Sequence, residues 1–94
     1  MKLKVFTLPS CTKCPAAKQV VEEVVKEYKL EYEVVDMNTD DGRLTGLMHH
    51  VMSTPSIAID DEVIVRGEAL SKEVLEIEVR KRLRNDVAGS QRVH

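Results

Sequence analysis

The chain has no tryptophan, one phenylalanine and two tyrosines among its 94 residues, so any core must be built from Val, Leu, Ile and Met. It has no apolar run near the ~18 residues that cross a bilayer. It has no basic excess either. A formal net charge of −2 has the wrong sign for nucleic acid or an anionic membrane surface, and neither is expected as a partner. No apolar h-region stands before Pro9, so no signal peptide is expected and the expected compartment is the reducing cytoplasm. There is no linker, internal repeat or second composition block. One domain is expected over residues 1–85, folding as a monomer, with a disordered C-terminal tail over residues 86–94.

Cysteine is also scarce, and its placement is informative. The only two, Cys11 and Cys14, are spaced Cys-x-x-Cys. In a reducing compartment such a pair serves redox chemistry or a metal more often than a permanent cross-link. A closed structural zinc site needs four ligands, commonly two such pairs, and there is no second pair. The expectation is a redox centre with no metal and no cofactor. Two rivals remain: a redox-sensing binding module that does not turn over, and a metal-binding protein that uses the pair.

The flanking patterns place the pair at a strand-to-helix junction. Leu3 and Val5 alternate with lysines in a strand that Pro9-Ser10 ends. Val20, Val21, Val24, Val25 and Tyr28 then recur at intervals of three and four, giving one helical face. The helix is expected to begin near Thr12 with a first turn distorted by Pro15. A second strand near Tyr32–Met37 completes a βαβ unit with parallel strands. Thr39, Asp40 and Asp41 are candidate caps of a second helix. Its buried stripe is expected to be Leu44, Leu47, Met48 and Val51, with Gly42 and Gly46 weakening it. Ser56–Asp60 and Glu62–Arg66 read as an antiparallel hairpin around Asp60-Asp61. Ser71 is the expected cap of the last helix, with a staple between Leu70 and Leu75. Val74, Leu75, Val79 and Leu83 are expected to form its apolar side.

Thiol–disulfide exchange needs a thiolate to attack a disulfide and a second thiol to complete the transfer. Cys11, nearer the strand, is the candidate nucleophile. Cys14, one turn on, is the candidate resolving residue. Thr12 and Lys13 between them tune the centre and are candidate substrate contacts. His49 and His50 are adjacent on a helix, so they diverge by about 100° and cannot share a metal; both are expected to face solvent. Met37, Met48 and Met52 are candidates for an adaptable docking surface, although Met48 reads more simply as core.

Three features together resemble the thioredoxin-fold superfamily, in particular small glutaredoxin-like thioredoxins of archaea and bacteria. They are Cys11-Thr12-Lys13-Cys14 after the first strand, Thr54-Pro55 before the hairpin, and Gly67 after the last strand. The resemblance covers residues 2 to about 84. It implies an α/β fold, a four-stranded mixed sheet flanked by three helices in the order β-α-β-α-β-β-α. It further implies a cis peptide bond at Pro55, and a Thr54 backbone that binds an extended substrate segment beside Cys11. The implied activity is reduction of protein disulfides, with electrons from a thiol or a flavoprotein reductase. The sequence departs from the family patterns at defined points. Ser10 stands where thioredoxins have tryptophan, and Val5 where they have a buried aspartate. Arg66-Gly67-Glu68 replaces the Gly-Gly turn that holds glutathione in glutaredoxins, so glutathione is expected to be a poor reductant.

Overall fold

The structure is a computed structural model that describes the backbone of residues 1–92 and the side chains of residues 1–84. The elements are β1 (Lys2–Thr7), α1 (Cys14–Tyr28), β2 (Glu31–Asp36), α2 (Asp40–Met48), β3 (Ser56–Ile59), β4 (Glu62–Arg66) and α3 (Lys72–Arg92). This is the expected β-α-β-α-β-β-α order. The strands form one mixed sheet in the order β2-β1-β3-β4. β1 pairs with β2 in parallel and with β3 antiparallel, and β3 pairs with β4 antiparallel across an irregularity at Ile57/Ala58.

Alternation along β1 decides what each side of the sheet carries. Leu3 and Val5 point to one face, where Ile57 and Ile59 join them beneath Ala17, Val21 and Val24 of α1 and Leu75 and Val79 of α3. Phe6 points to the other, with Val35, Val51 and Ala58. The valine-rich face of α1 is thus held by burial, which offsets its weak intrinsic helix propensity. Lys29 ends α1 in the left-handed region at φ 55°, and the Leu30 N–H donates to the Val25 carbonyl at 2.9 Å. Ser71 caps α3, its hydroxyl accepting from the Val74 N–H at 3.3 Å. Leu70 packs against the larger core, which contains Leu75.

α2 departs most from the sequence reading. Its N-cap is Thr39, whose hydroxyl accepts from the Gly42 N–H at 2.9 Å. Its expected apolar stripe, however, faces outward: Leu44, Leu47 and Met48 are 57%, 64% and 71% exposed, and only Val51 beyond the helix is buried. The buried residues of α2 are Gly42 and Gly46. The two glycines are four apart, so they share one face, and without side chains they let the helix backbone come close to the end of β2. A Cβ on Gly42 would overlap the Asp36 carbonyl oxygen. Counting apolar residues misses a face built from absent side chains.

Other expectations also shift. His49 does not face solvent; its side chain is 10% exposed and its ring lies 5.4 Å from that of Phe6. His49 Nδ1 lies 2.8 Å from the Thr45 carbonyl. His50, at φ 56°, is exposed as expected. In α3, Leu75 and Val79 are buried, whereas Val74 and Leu83 are exposed because they flank the packed face. The backbone of α3 is helical through Arg92, past residue 85 where the domain was expected to end. No proline interrupts it, and each added residue gains one hydrogen bond. Residues 93–94, and all side chains from 85 on, lie outside the described residues.

Two predictions follow from the packing. Gly42→Ala meets backbone that cannot yield and should cost about 1–3 kcal/mol. Gly46→Ala meets only the terminal methyl of the flexible Met37 side chain, 2.7 Å away. That variant should stay within about 1 kcal/mol of the parent, because alanine is the better helix former. Urea midpoints of the two variants decide this, and equal losses would refute the account of α2. The second prediction concerns Tyr32, whose hydroxyl donates to Glu22 at 3.4 Å. Burial first, then the Glu22 charge and this hydrogen bond, push its phenol up from 10.0 to about 12. The folded state therefore favours the neutral phenol. That stabilisation is fully present below the unfolded value and is lost as pH rises toward the folded one. Tyr32→Phe should flatten the fall in stability between pH 10 and about 12, as read from denaturation midpoints.

Candidate active site

β1 carries the chain to Thr7, and a loop then turns it into α1. The Cys11 N–H donates to the Leu8 carbonyl at 3.1 Å, closing that loop. The helix starts at Cys14, not near Thr12, with Lys13 at the cap position. The reason is Pro15. At the second helical position its missing N–H is one that no intrahelical acceptor would reach. The first regular bond is then donated by the Ala17 N–H to the Lys13 carbonyl at 3.2 Å. Cys11 accordingly lies in the loop ahead of the helix, and Cys14 opens it.

The two sulfurs are joined in a disulfide, with a Cα–Cα separation of 5.4 Å, inside the usual range for such bridges. Their surroundings differ. Cys14, the first residue of α1, is 3% exposed. Cys11 is partly exposed. The pair therefore has one sulfur that an outside reactant can reach and one that it cannot.

Thr54 and Pro55, distant in sequence, come beside this loop. Their peptide bond is cis. Pro55 is fully buried, and its carbonyl accepts from the Gly67 N–H at 2.9 Å. The Ser56 hydroxyl donates to the Ser53 carbonyl at 2.7 Å, tying the loop to the start of β3. Gly67 has φ 78°, and a Cβ there would lie 2.9 Å from the Ser53 hydroxyl oxygen, so glycine suits both the backbone and the space. The result is a cleft of about 380 Å³ lined by Ser10, Cys11, Thr12, Lys13, Thr54 and Gly67. Five of the expected site residues thus share one end of the sheet with Cys11: Thr12, Lys13 and Thr54 on the cleft, Pro55 buried behind Thr54, and Cys14 bonded beneath.

A second cleft, of about 280 Å³, reaches Cys14 along the α1–β2 side. Its lining includes Thr7, Lys18, Val34 and Asp36. The sequence reading did not single out Lys18 or Asp36. Lys18 had a signal, since it stands four residues after Cys14 on the same helix. Asp36 had none, because its placement depends on the β1–β2 register that sets it opposite Thr7.

His49 lies under α2, away from both clefts, and Met48 and Met52 are surface residues at 71% and 85% exposure. Among the described residues, no group of three or more His, Cys, Asp or Glu side chains is arranged to hold a metal ion. Also among them, no helix is long and apolar enough to cross a membrane.

Comparison with known proteins agrees with this geometry. The family model described as "Thioredoxin domain" matches residues 1–79. The thioredoxin of Methanocaldococcus jannaschii is 39% identical over 83 residues, covering 88% of this chain and 96% of that protein. A probable thioredoxin of Methanothermobacter marburgensis is 36% identical over 78 residues, covering 81% of this chain and 89% of that protein. Among solved structures, thioredoxin 1 of Thermosipho africanus superposes with a TM-score of 0.73 over 92% of this chain and 98% of its own, at 19% identity, a likeness of fold. A reachable sulfur bonded to a shielded one, in this fold and among these relatives, leaves one conclusion: the chain belongs to the thioredoxin family and is a thiol–disulfide oxidoreductase.

Proposed function

We propose that the protein reduces disulfides of other proteins, with Cys11 as the attacking sulfur and Cys14 as the resolving one. The observation that carries this reading is the unequal exposure of the bonded pair, Cys11 on the cleft rim and Cys14 3% exposed below it. Only the thiolate is an effective nucleophile, and it must reach its target. Cys11 attacks a substrate sulfur and forms a mixed disulfide. Cys14 then attacks Cys11, closes the internal bridge and releases the reduced substrate.

The substrate lies in the cleft that Cys11 shares with Thr54. There the Thr54 main chain offers hydrogen bonds to an extended segment in the manner of an added strand, while Thr12 and Lys13 line the adjoining wall. The electron donor is a flavoprotein thioredoxin reductase in preference to glutathione. Arg66-Gly67-Glu68 stands at the turn where glutathione would be held, and Gly67 is its sole glycine. The protein works as a monomer in the cytoplasm.

The test is reduction of insulin driven by dithiothreitol. Cys11→Ser should bring the rate down to that of dithiothreitol alone. Cys14→Ser should keep the first attack and accumulate a mixed disulfide visible by mass. A rate unchanged in Cys11→Ser would remove the enzymatic reading and favour a redox-sensing module. For the donor, NADPH with a thioredoxin reductase should reduce the oxidised protein faster than glutathione does; the reverse order would reject the reductase.

A further inference from the structure

Resolution of a mixed disulfide requires Cys14 to lose its proton, and Cys14 is poorly placed to do so. It is 3% exposed, and burial disfavours a thiolate. The core beneath α1 offers no help. Val5, Ala17 and Val21 are fully buried there, and none ionises. A cleft of about 280 Å³ on the α1–β2 side has Cys14 in its wall.

The groups facing Cys14 can be taken element by element. β1 contributes the Thr7 hydroxyl. α1 contributes Lys18, four residues on and hence on the same helix face. β2 contributes Val34 and Asp36. The loop contributes Cys11 itself and Lys13, which lies on the other cleft. Asp36 is held in place on both sides: the β1–β2 ladder pairs it with Thr7, and its Oδ1 accepts from the Asn38 N–H at 2.9 Å. One cation and one anion thus line the cleft that Cys14 also lines.

We propose that Lys18 and Asp36 are positioning residues for the resolving step, setting the protonation of Cys14 from opposite sides of this cleft. The inference rests on the thiol–disulfide reading above. In the step concerned, the Cys14 S–H bond breaks and its proton leaves through water in the cleft. The thiolate attacks the Cys11 sulfur, and the Cys11–Cys14 bond forms as the bond from Cys11 to the substrate breaks. The substrate sulfur departs with the electron pair and takes up a proton. Two electrons have then passed from the protein sulfurs to the substrate disulfide. The Lys18 ammonium favours the thiolate and so speeds the attack. The Asp36 carboxylate favours the thiol and restrains it.

The experiment uses the full chain, reduced, and dithiodipyridine, a neutral aromatic disulfide whose leaving group absorbs light. The first release reports attack by Cys11, and the second reports resolution by Cys14. Lys18→Met should slow the second release roughly threefold at pH 7 and move the midpoint of its pH profile up by about half a unit. Asp36→Asn should move that midpoint down by about as much. Lys18→Arg should leave it in place, and the first release, from the more exposed Cys11, should shift less than the second throughout. Opposite shifts are what two opposite charges produce and what a packing defect does not. Identical second-release profiles in all variants would overturn the proposal, as would a Lys18→Arg effect as large as that of Lys18→Met. If the parent chain gave no second release at all, the thiol–disulfide reading itself would fall.

Discussion

Burial of β1 on both faces is the constraint from which the rest of the molecule follows. Leu3 and Val5 are fully buried on one side and Phe6 on the other. A strand covered on both sides needs a layer above and a layer below. α1 and α3 supply one, and the packing around α2 supplies the other. The parallel pairing of β1 with β2 requires a crossover, and α1 is that crossover. The chain must therefore turn sharply at the end of β1, and the cysteines occupy that turn. The helix that follows leans on Leu3, Val5 and Ile57 through Ala17, Val21 and Val24. Cys14 is shielded because it opens the helix that the core holds down.

The second layer is thin, and glycine explains how it closes. With Gly42 against the Asp36 carbonyl and Gly46 against Met37, α2 lies nearer the sheet than any apolar side chain would permit. The consequence is an outward row of Leu44, Leu47 and Met48. The same close approach places His49 over Phe6, with its Nδ1 2.8 Å from the Thr45 carbonyl and its Nε2 3.4 Å from the Lys4 ammonium.

The disulfide sits between two unlike clefts. On one side Cys11, Thr12, Lys13 and Thr54 line a cleft with polar groups. On the other, Cys14 shares a cleft with Lys18 and Asp36. The two clefts open on different sides of the disulfide, and Cys11 lines both. Beneath α1, Val5 is hydrocarbon and fully buried. The polar groups on the Cys14 side lie along the cleft wall.

Most of the framework was legible in residue order. The valine period of α1, the alternation of β1, the Asp60-Asp61 hairpin and the Ser71 cap are local patterns, and local patterns survive without knowledge of neighbours. The Cys-x-x-Cys spacing pointed to the chemistry for the same reason, since two cysteines three residues apart can come within bonding reach. Tertiary structure decided what depends on contact between distant segments. It chose the glycine face of α2 over the leucine face, put His49 on Phe6, started α1 at Cys14, and brought Thr54 to one side of the disulfide and Asp36 to the other. Sequence specifies which residues prefer to be covered; only the assembled sheet, through strand register and backbone approach, specifies what covers them.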